Sequence, residues 1–231
     1  SKRHGALNLL SYRDEGFLPE ALLNYLVRLG WSNGDQEIFS IDEMIELFEL
    51  KNINNSPASF NQEKLEWINQ SYIKSLPSSH LIEYLGWHLE KLNINLADGP
   101  DIHVVVDFLK ERSKSLVDMA QSCVMFYQDF EDFDEAQAHK IFKSNTKEVL
   151  QDLESRLSEI NDWNANNIHS VIVSICESRS IGFGKVGQPL RLALSGDGKS
   201  GSIDKSAQFV GKKRTLSRLN MALSWINSQN N

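Results

Sequence analysis

Apolar residues recur three and four positions apart along most of this chain. After Pro19, for example, Leu22, Leu26 and Leu29 fall on one side of a helical projection, and Gly30 ends the segment. That spacing is typical of an amphipathic α-helix with one buried face. Because no internal repeat or convincing β-hairpin signal interrupts the pattern, we predict an all-α fold.

Several predicted helices carry their own boundary signals. Ser40 and Glu43 have the spacing of a capping box, and Pro189 suits the first position of a short helix that ends at Gly196. Further predicted helices span about residues 20–29, 102–109, 113–127, 135–142, 146–160, 165–177, 204–210 and 212–228, and others begin near residues 60 and 78. Residues 1–16 are predicted to form a loop.

Composition narrows the class of protein. The chain has 231 residues, of which 41% are hydrophobic and 24% charged, as in ordinary globular proteins. No apolar run has the length of a membrane span, so we expect no membrane partner. The two cysteines, Cys123 and Cys176, lie far apart without neighbouring histidine ligands, which argues against zinc and for a reduced, cytoplasmic setting.

Charge is distributed unevenly. The formal net charge of -7 counts against indiscriminate nucleic-acid binding. The stretch from Lys185 to Arg218 is nevertheless basic, with only Asp197 and Asp204 opposing its lysines and arginines. A basic segment on an acidic protein indicates a localised anionic partner.

The sequence contains no self-contained catalytic motif. It has no HExxH, no P-loop, no GxGxxG and no serine elbow. The six histidines are scattered, and none has a second metal ligand four residues away in a zinc-site pattern. His103 and Asp107 are four apart, which we interpret as a helical pair. No metal site is predicted.

The remaining candidates are basic residues that could face an anion. Lys2, Arg3 and His4 cluster at the start, Arg112 lies at a predicted helix junction, and Arg191 stands among leucines on the helix that ends at Gly196. A guanidinium on such a helix presents donors in a fixed fork that can address phosphates or base edges. Nucleic-acid binding and a helical protein-interaction module are favoured about equally by the residues alone.

Longer motifs resemble a known family. The segment Ser1-Lys-Arg-His-Gly resembles the second half of the KMSKS-type signature of class I aminoacyl-tRNA synthetases, in the glutamyl form that ends in Ser-Lys-Arg. The segments 12–31, 60–69, 119–123, 184–196 and 211–218 are similar, in the same order, to bacterial glutamyl-tRNA synthetases.

The resemblance implies a fragment that begins inside the KMSKS-type motif, with the dinucleotide-fold catalytic domain upstream. Residues 1–76 would form the KMSKS-type loop and a stem-contact region. Residues 77–134 and 135–231 would form two helical anticodon-binding domains of the α-helix cage type.

The same resemblance implies an activity for the whole enzyme. It would ligate L-glutamate to tRNA(Glu) through glutamyl-adenylate, using ATP and Mg²⁺. The fragment alone is expected to bind tRNA, to be inactive and to hold no cofactor, as a cytoplasmic monomer. The alternative is a non-catalytic RNA- or protein-interaction module of the same fold.

Family roles carry over to individual positions. In the signature Ser1-Lys2-Arg3, Lys2 matches the lysine that stabilises the ATP triphosphate. Arg112 matches an arginine that helps to read the third anticodon base, and Arg191 and Ile203 match positions that contact anticodon bases. The family often has a proline in the loop after Arg191. This sequence has Ser-Gly at 200–201 instead, so we expect a more mobile loop before Ile203.

Overall fold

The computed structural model describes residues 8–54, 59–97 and 99–229, without the side chain of Ser144. Over these ranges it contains α-helices, one 3₁₀ turn at Leu50–Asn52 and no β-strand. The predicted all-α fold is confirmed. The helices are α1 Leu9–Asp14, α2 Pro19–Gly30, α3 Ile41–Leu47, α4 Gln62–Ser75, α5 Ser78–Lys91, α6 Ile102–Leu109, α7 Leu116–Tyr127, α8 Glu135–Ile141, α9 Ser144–Ser158, α10 Ala165–Arg179, α11 Phe183–Ser195, α12 Ile203–Val210 and α13 Lys212–Ser228. Within the described ranges, no helix combines the length and apolarity needed to cross a bilayer.

The chain divides into two compact units. The first unit comprises Ser1–Ile94 and Ile102–Ser122, and the second comprises Asn95–Asp101 and Cys123–Asn231. The three-part division at residues 76 and 134 stays a prediction.

Two buried asparagines organise the first unit, in which α2 packs against α4. The side chain of Asn69 accepts a hydrogen bond from Leu18 N at 2.9 Å and donates one to Lys114 O at 2.7 Å. Asn24 accepts one from Phe39 N at 2.8 Å. These bonds satisfy backbone groups that lie outside regular helices, as buried polar groups require.

The core of the second unit lies between α9, α11 and α13. The apolar faces of these helices are buried because their residues recur at helical spacing, as the sequence predicts. The fully enclosed side chains there include Leu150, Leu153, Leu157, Leu190, Leu194, Leu219 and Ala222.

Local signals fixed some boundaries correctly. The capping box is present, because Ser40 Oγ accepts from Glu43 N at 3.1 Å and the Glu43 carboxylate accepts from Ser40 N at 2.7 Å. Gly196, with φ of +77°, ends α11 in the left-handed conformation as predicted.

Two local predictions are wrong. Pro189 does not begin a helix but lies inside α11, which starts six residues earlier at Phe183. Val186, Pro189 and Leu190 are all buried there, and this packing offsets the one helical hydrogen bond that the proline lacks. Residues 9–14, expected in a loop, form α1 because Asn8 caps it by accepting from Leu10 N.

Candidate nucleic-acid interface

Arg191 is the most clearly positioned of the candidate residues. Leu190 and Leu192, which flank it on α11, are completely buried, so the backbone that carries Arg191 is packed against the core. The guanidinium, half-buried, donates from Nε to Ser200 Oγ at 3.1 Å and from Nη2 to Gly201 O at 3.4 Å. These two bonds leave other N–H groups of the fork for a ligand.

The loop that holds Arg191 is shaped by local hydrogen bonds. Ser195 Oγ donates to Arg191 O and accepts from Gly198 N, both at 2.9 Å. Gly196 and Gly198 both have positive φ, which lets the chain reverse direction immediately after α11. Ser200 and Gly201, which follow this reversal, supply the direct acceptors for the guanidinium.

Ile203 begins α12 and lies in the same unit as Arg191, but its side chain is buried, with 3% exposed. A ligand in contact with this position would meet its backbone rather than its apolar side chain.

Arg112 lies in the first unit, in the connection between α6 and α7. Its backbone N–H donates to Leu109 O at 3.0 Å, and its side chain is exposed. Ser113, the next residue, is buried and its hydroxyl also bonds Leu109 O. Arg112 thus follows a tightly turned helix end. Ser1, Lys2 and Arg3 lie outside the described residues.

Two arginines of the basic segment point inward. The Arg218 side chain is 4% exposed and donates to the carbonyls of Leu194, Met125 and Gln128. Arg214 donates to Phe126 O at 2.7 Å and to Tyr127 O at 2.9 Å. The basic stretch from Lys185 to Arg218 therefore does not present all of its charges to a partner, because the carbonyls at the end of α7 accept from these two arginines.

Sequence reasoning missed an aromatic pair in the second unit. The rings of His169 and Phe183 have centroids 5.8 Å apart and planes inclined by 31°. His169 Nδ1 lies 3.3 Å from Asp204 Oδ2. No single motif marks these residues. The one signal was an isolated phenylalanine between two glycines ahead of Arg191.

The other titratable groups form no evident catalytic centre. Over the described ranges, no group of three His, Cys, Asp or Glu side chains is arranged to hold a metal ion. Burial raises the pKa of the Cys123 thiol to about 12, which removes its nucleophilic character near neutral pH.

Comparison with known proteins agrees with this picture. The sequence model of the family described as "Anticodon binding domain" matches residues 79–223. The chain belongs to this anticodon-binding family. A model of the catalytic domain of class I tRNA synthetases (E and Q) matches residues 1–67.

Relatives of this anticodon-binding chain carry a consistent name. It is 55% identical to the glutamate–tRNA ligase of Vesicomyosocius okutanii subsp. Calyptogena okutanii over 97% of its own length and 49% of the relative's. It is 54% identical to that of Ruthia magnifica subsp. Calyptogena magnifica, over 96% and 49%. The chain thus spans about half the length of the curated relatives it matches.

A solved structure is similar as well. The glutamate–tRNA ligase of Elizabethkingia meningosepticum, in complex with its amino acid, aligns with a TM-score of 0.82 and 33% identity over 92% of this chain and 42% of that one. The resemblance seen in the sequence motifs is therefore confirmed.

Proposed function

We propose that this chain is the tRNA-recognising part of a glutamate–tRNA ligase, which joins L-glutamate to tRNA(Glu) through glutamyl-adenylate. The relatives at 54–55% identity and the match to the anticodon-binding family support this proposal. The observation that carries it is the fixed guanidinium of Arg191, on a surface of a protein from that family.

Anticodon contact is the proposed role of Arg191. An arginine held by Ser200 and Gly201 keeps most of its planar fork available in one orientation. Proteins read RNA sequence mainly in unpaired loops, by hydrogen bonds to base edges and by stacking. An anticodon loop offers such bases. Arg112, exposed at the end of α6, is proposed to contact the third anticodon base, and the backbone at Ile203 a further one.

The remaining parts of the proposal follow from the synthetase relatives. Lys2 would stabilise the triphosphate of ATP, with Mg²⁺, when joined to a catalytic domain. The stem-contact region at 1–76 and the two helical domains at 77–134 and 135–231 belong to the proposal, as do a monomeric state and a cytoplasmic location. The 231-residue chain alone should not charge tRNA, because the catalytic-domain model matches only residues 1–67.

The test is binding of the chain to unmodified tRNA(Glu) across a salt series. For wild type, affinity should fall as salt rises, because lysine and arginine contacts to phosphates release counterions. Arg191→Ala should weaken binding by about 1–3 kcal/mol, or roughly 5- to 150-fold, if the fork contacts a base.

Arg156→Ala is the matched control. Arg156 is also half-buried in the second unit and donates to the hydroxyls of Ser174 and Ser178, so its loss likewise removes two hydrogen bonds from a guanidinium. Equal weakening by both substitutions, or the absence of wild-type binding at low salt, would refute the proposed anticodon contact. Glutamate- and ATP-dependent charging by the complete protein then separates a ligase from a non-catalytic module.

A further inference from the structure

Phe183 is an exposed aromatic residue at the start of α11. The residue is 42% exposed, whereas the apolar residues Val186 and Leu190 of the same helix are completely buried. The ring lies against Gly187: a Cβ built at that position would be 3.1 Å from the ring carbon Cε1. The absence of a side chain at Gly187 therefore makes room for the ring.

This position brings the ring close to the candidate anticodon contact. Arg191 follows Gly187 by four residues, so the two positions are neighbours on one face of α11, about 5–6 Å apart. The ring of Phe183 lies over Gly187, and the next position on this face carries the Arg191 side chain. A flat apolar surface and a fixed guanidinium thus stand one helical turn apart.

A second ring enlarges that surface. His169 of α10 lies beside Phe183, with ring centroids 5.8 Å apart. The carboxylate of Asp204, in the first turn of α12, lies 3.3 Å from His169 Nδ1 and accepts from Ser202 Oγ.

The same short segment holds both parts of the surface. Ser200 and Gly201 accept from Arg191, and Asp204, which accepts from Ser202, lies 3.3 Å from His169 Nδ1. The loop and the first turn of α12 therefore contact both the guanidinium and the ring pair.

We infer that the Phe183–His169 ring pair is a stacking platform for an unpaired RNA base adjacent to the base contacted by Arg191. This inference rests on the proposed function. Unpaired bases stack on Phe and His side chains in proteins that bind single-stranded RNA. Lys185, two residues after Phe183, and Lys199, next to Ser200, are both exposed. Their ammonium groups can contact phosphates of the bound RNA.

The experiment compares Phe183→Ala, Phe183→Leu and Phe183→Trp in the 231-residue chain for binding to an anticodon stem-loop of tRNA(Glu). Alanine and leucine should both weaken binding about tenfold, because neither presents a π-face, and tryptophan should preserve it.

Stem-loops with single abasic sites next to the anticodon bases locate the stacked base. At that site, removal of the base should abolish the difference between wild type and Phe183→Ala. If Phe183→Leu binds as tightly as wild type, or if no abasic site reduces the difference, the platform is refuted. Arg191→Ala is measured in parallel to keep the outcomes distinct. If Arg191→Ala lowers the affinity and the Phe183 variants do not, only the platform is refuted. If the wild-type chain does not bind the stem-loop, the proposed function is refuted as well.

Discussion

Replacing Arg218 with methionine should destabilise the second unit more than any surface substitution. The side chain is 4% exposed and donates to the backbone carbonyls of Met125 and Gln128 at 2.9 and 2.7 Å, and to that of Leu194. Burial lowers the pKa of Arg218 against the opposing effect of Asp129, so the charge is held in an environment that disfavours it.

The magnitude follows from the groups left without donors. Each buried acceptor that loses its partner costs about 1–3 kcal/mol, and breaking a buried charged network costs about 3–5 kcal/mol in total. Asp129 adds little, because its side chain is 65% exposed and remains solvated. We therefore expect a loss of about 3–5 kcal/mol in the free energy of unfolding, a large part of the 5–15 kcal/mol typical of a domain.

The assay is urea denaturation followed by hydrogen-exchange mass spectrometry, which reports the two units separately. A slope of about 1–3 kcal/mol per molar urea converts the expected loss into a midpoint shift of at least about 1 M.

The control is Arg179→Met. Arg179 forms ion pairs with Glu148 and Asp152 near the surface, where such pairs contribute about 0–1 kcal/mol. A shift for Arg218→Met no larger than that for Arg179→Met would refute the assignment of Arg218 as a buried anchor.

Two further predictions concern the first unit. Gly16→Ala should destabilise it by about 2–4 kcal/mol, because φ is +84° and the added Cβ would lie 2.5 Å from Val117 N. Gly86→Ala, with open space around the added Cβ, is the control. Equal denaturation midpoints for the two variants would contradict the argument. Burial and Lys91 lower the pKa of His88, so stability should fall as pH drops below about 6.5, where the unfolded chain takes up a proton that the folded chain resists. His88→Gln should flatten that decline in pH-dependent melting, and an unchanged slope would contradict it.

The sequence predicted those helices whose boundaries depend on nearby residues. Ser40 and Glu43 specify a start within one turn, and Gly196 specifies a stop, so both could be identified without tertiary information. Pro189 was misplaced because its local preference for a helix start is overridden by the apolar face that α11 buries on both sides of it.

The candidate site was predictable only in part for a related reason. Arg191 stands out because it is the one charged residue among Leu190, Leu192, Ala193 and Leu194, which the sequence displays directly. Arg214 and Arg218 look equally available in the sequence. Their backbone acceptors at the end of α7, Met125 to Gln128, lie 87–93 residues earlier in the chain, so these hydrogen bonds cannot be inferred from local spacing. The His169–Phe183 pair joins α10 to α11, so it too becomes visible only in three dimensions.

The inward-pointing arginines also set an order of events during synthesis. The carbonyls of Phe126 and Tyr127 have no arginine partner until residue 214 has been made, and those of Met125 and Gln128 wait for residue 218, which follows Met125 by 93 residues. At about 5–20 residues per second, that interval lasts roughly 5–20 s. The first unit ends at Ser122 and needs no residue from the last helix for its internal bonds, such as Leu116 N to Gly16 O. A nascent chain can therefore complete the first unit while the last turn of α7 still depends on water for its hydrogen bonds.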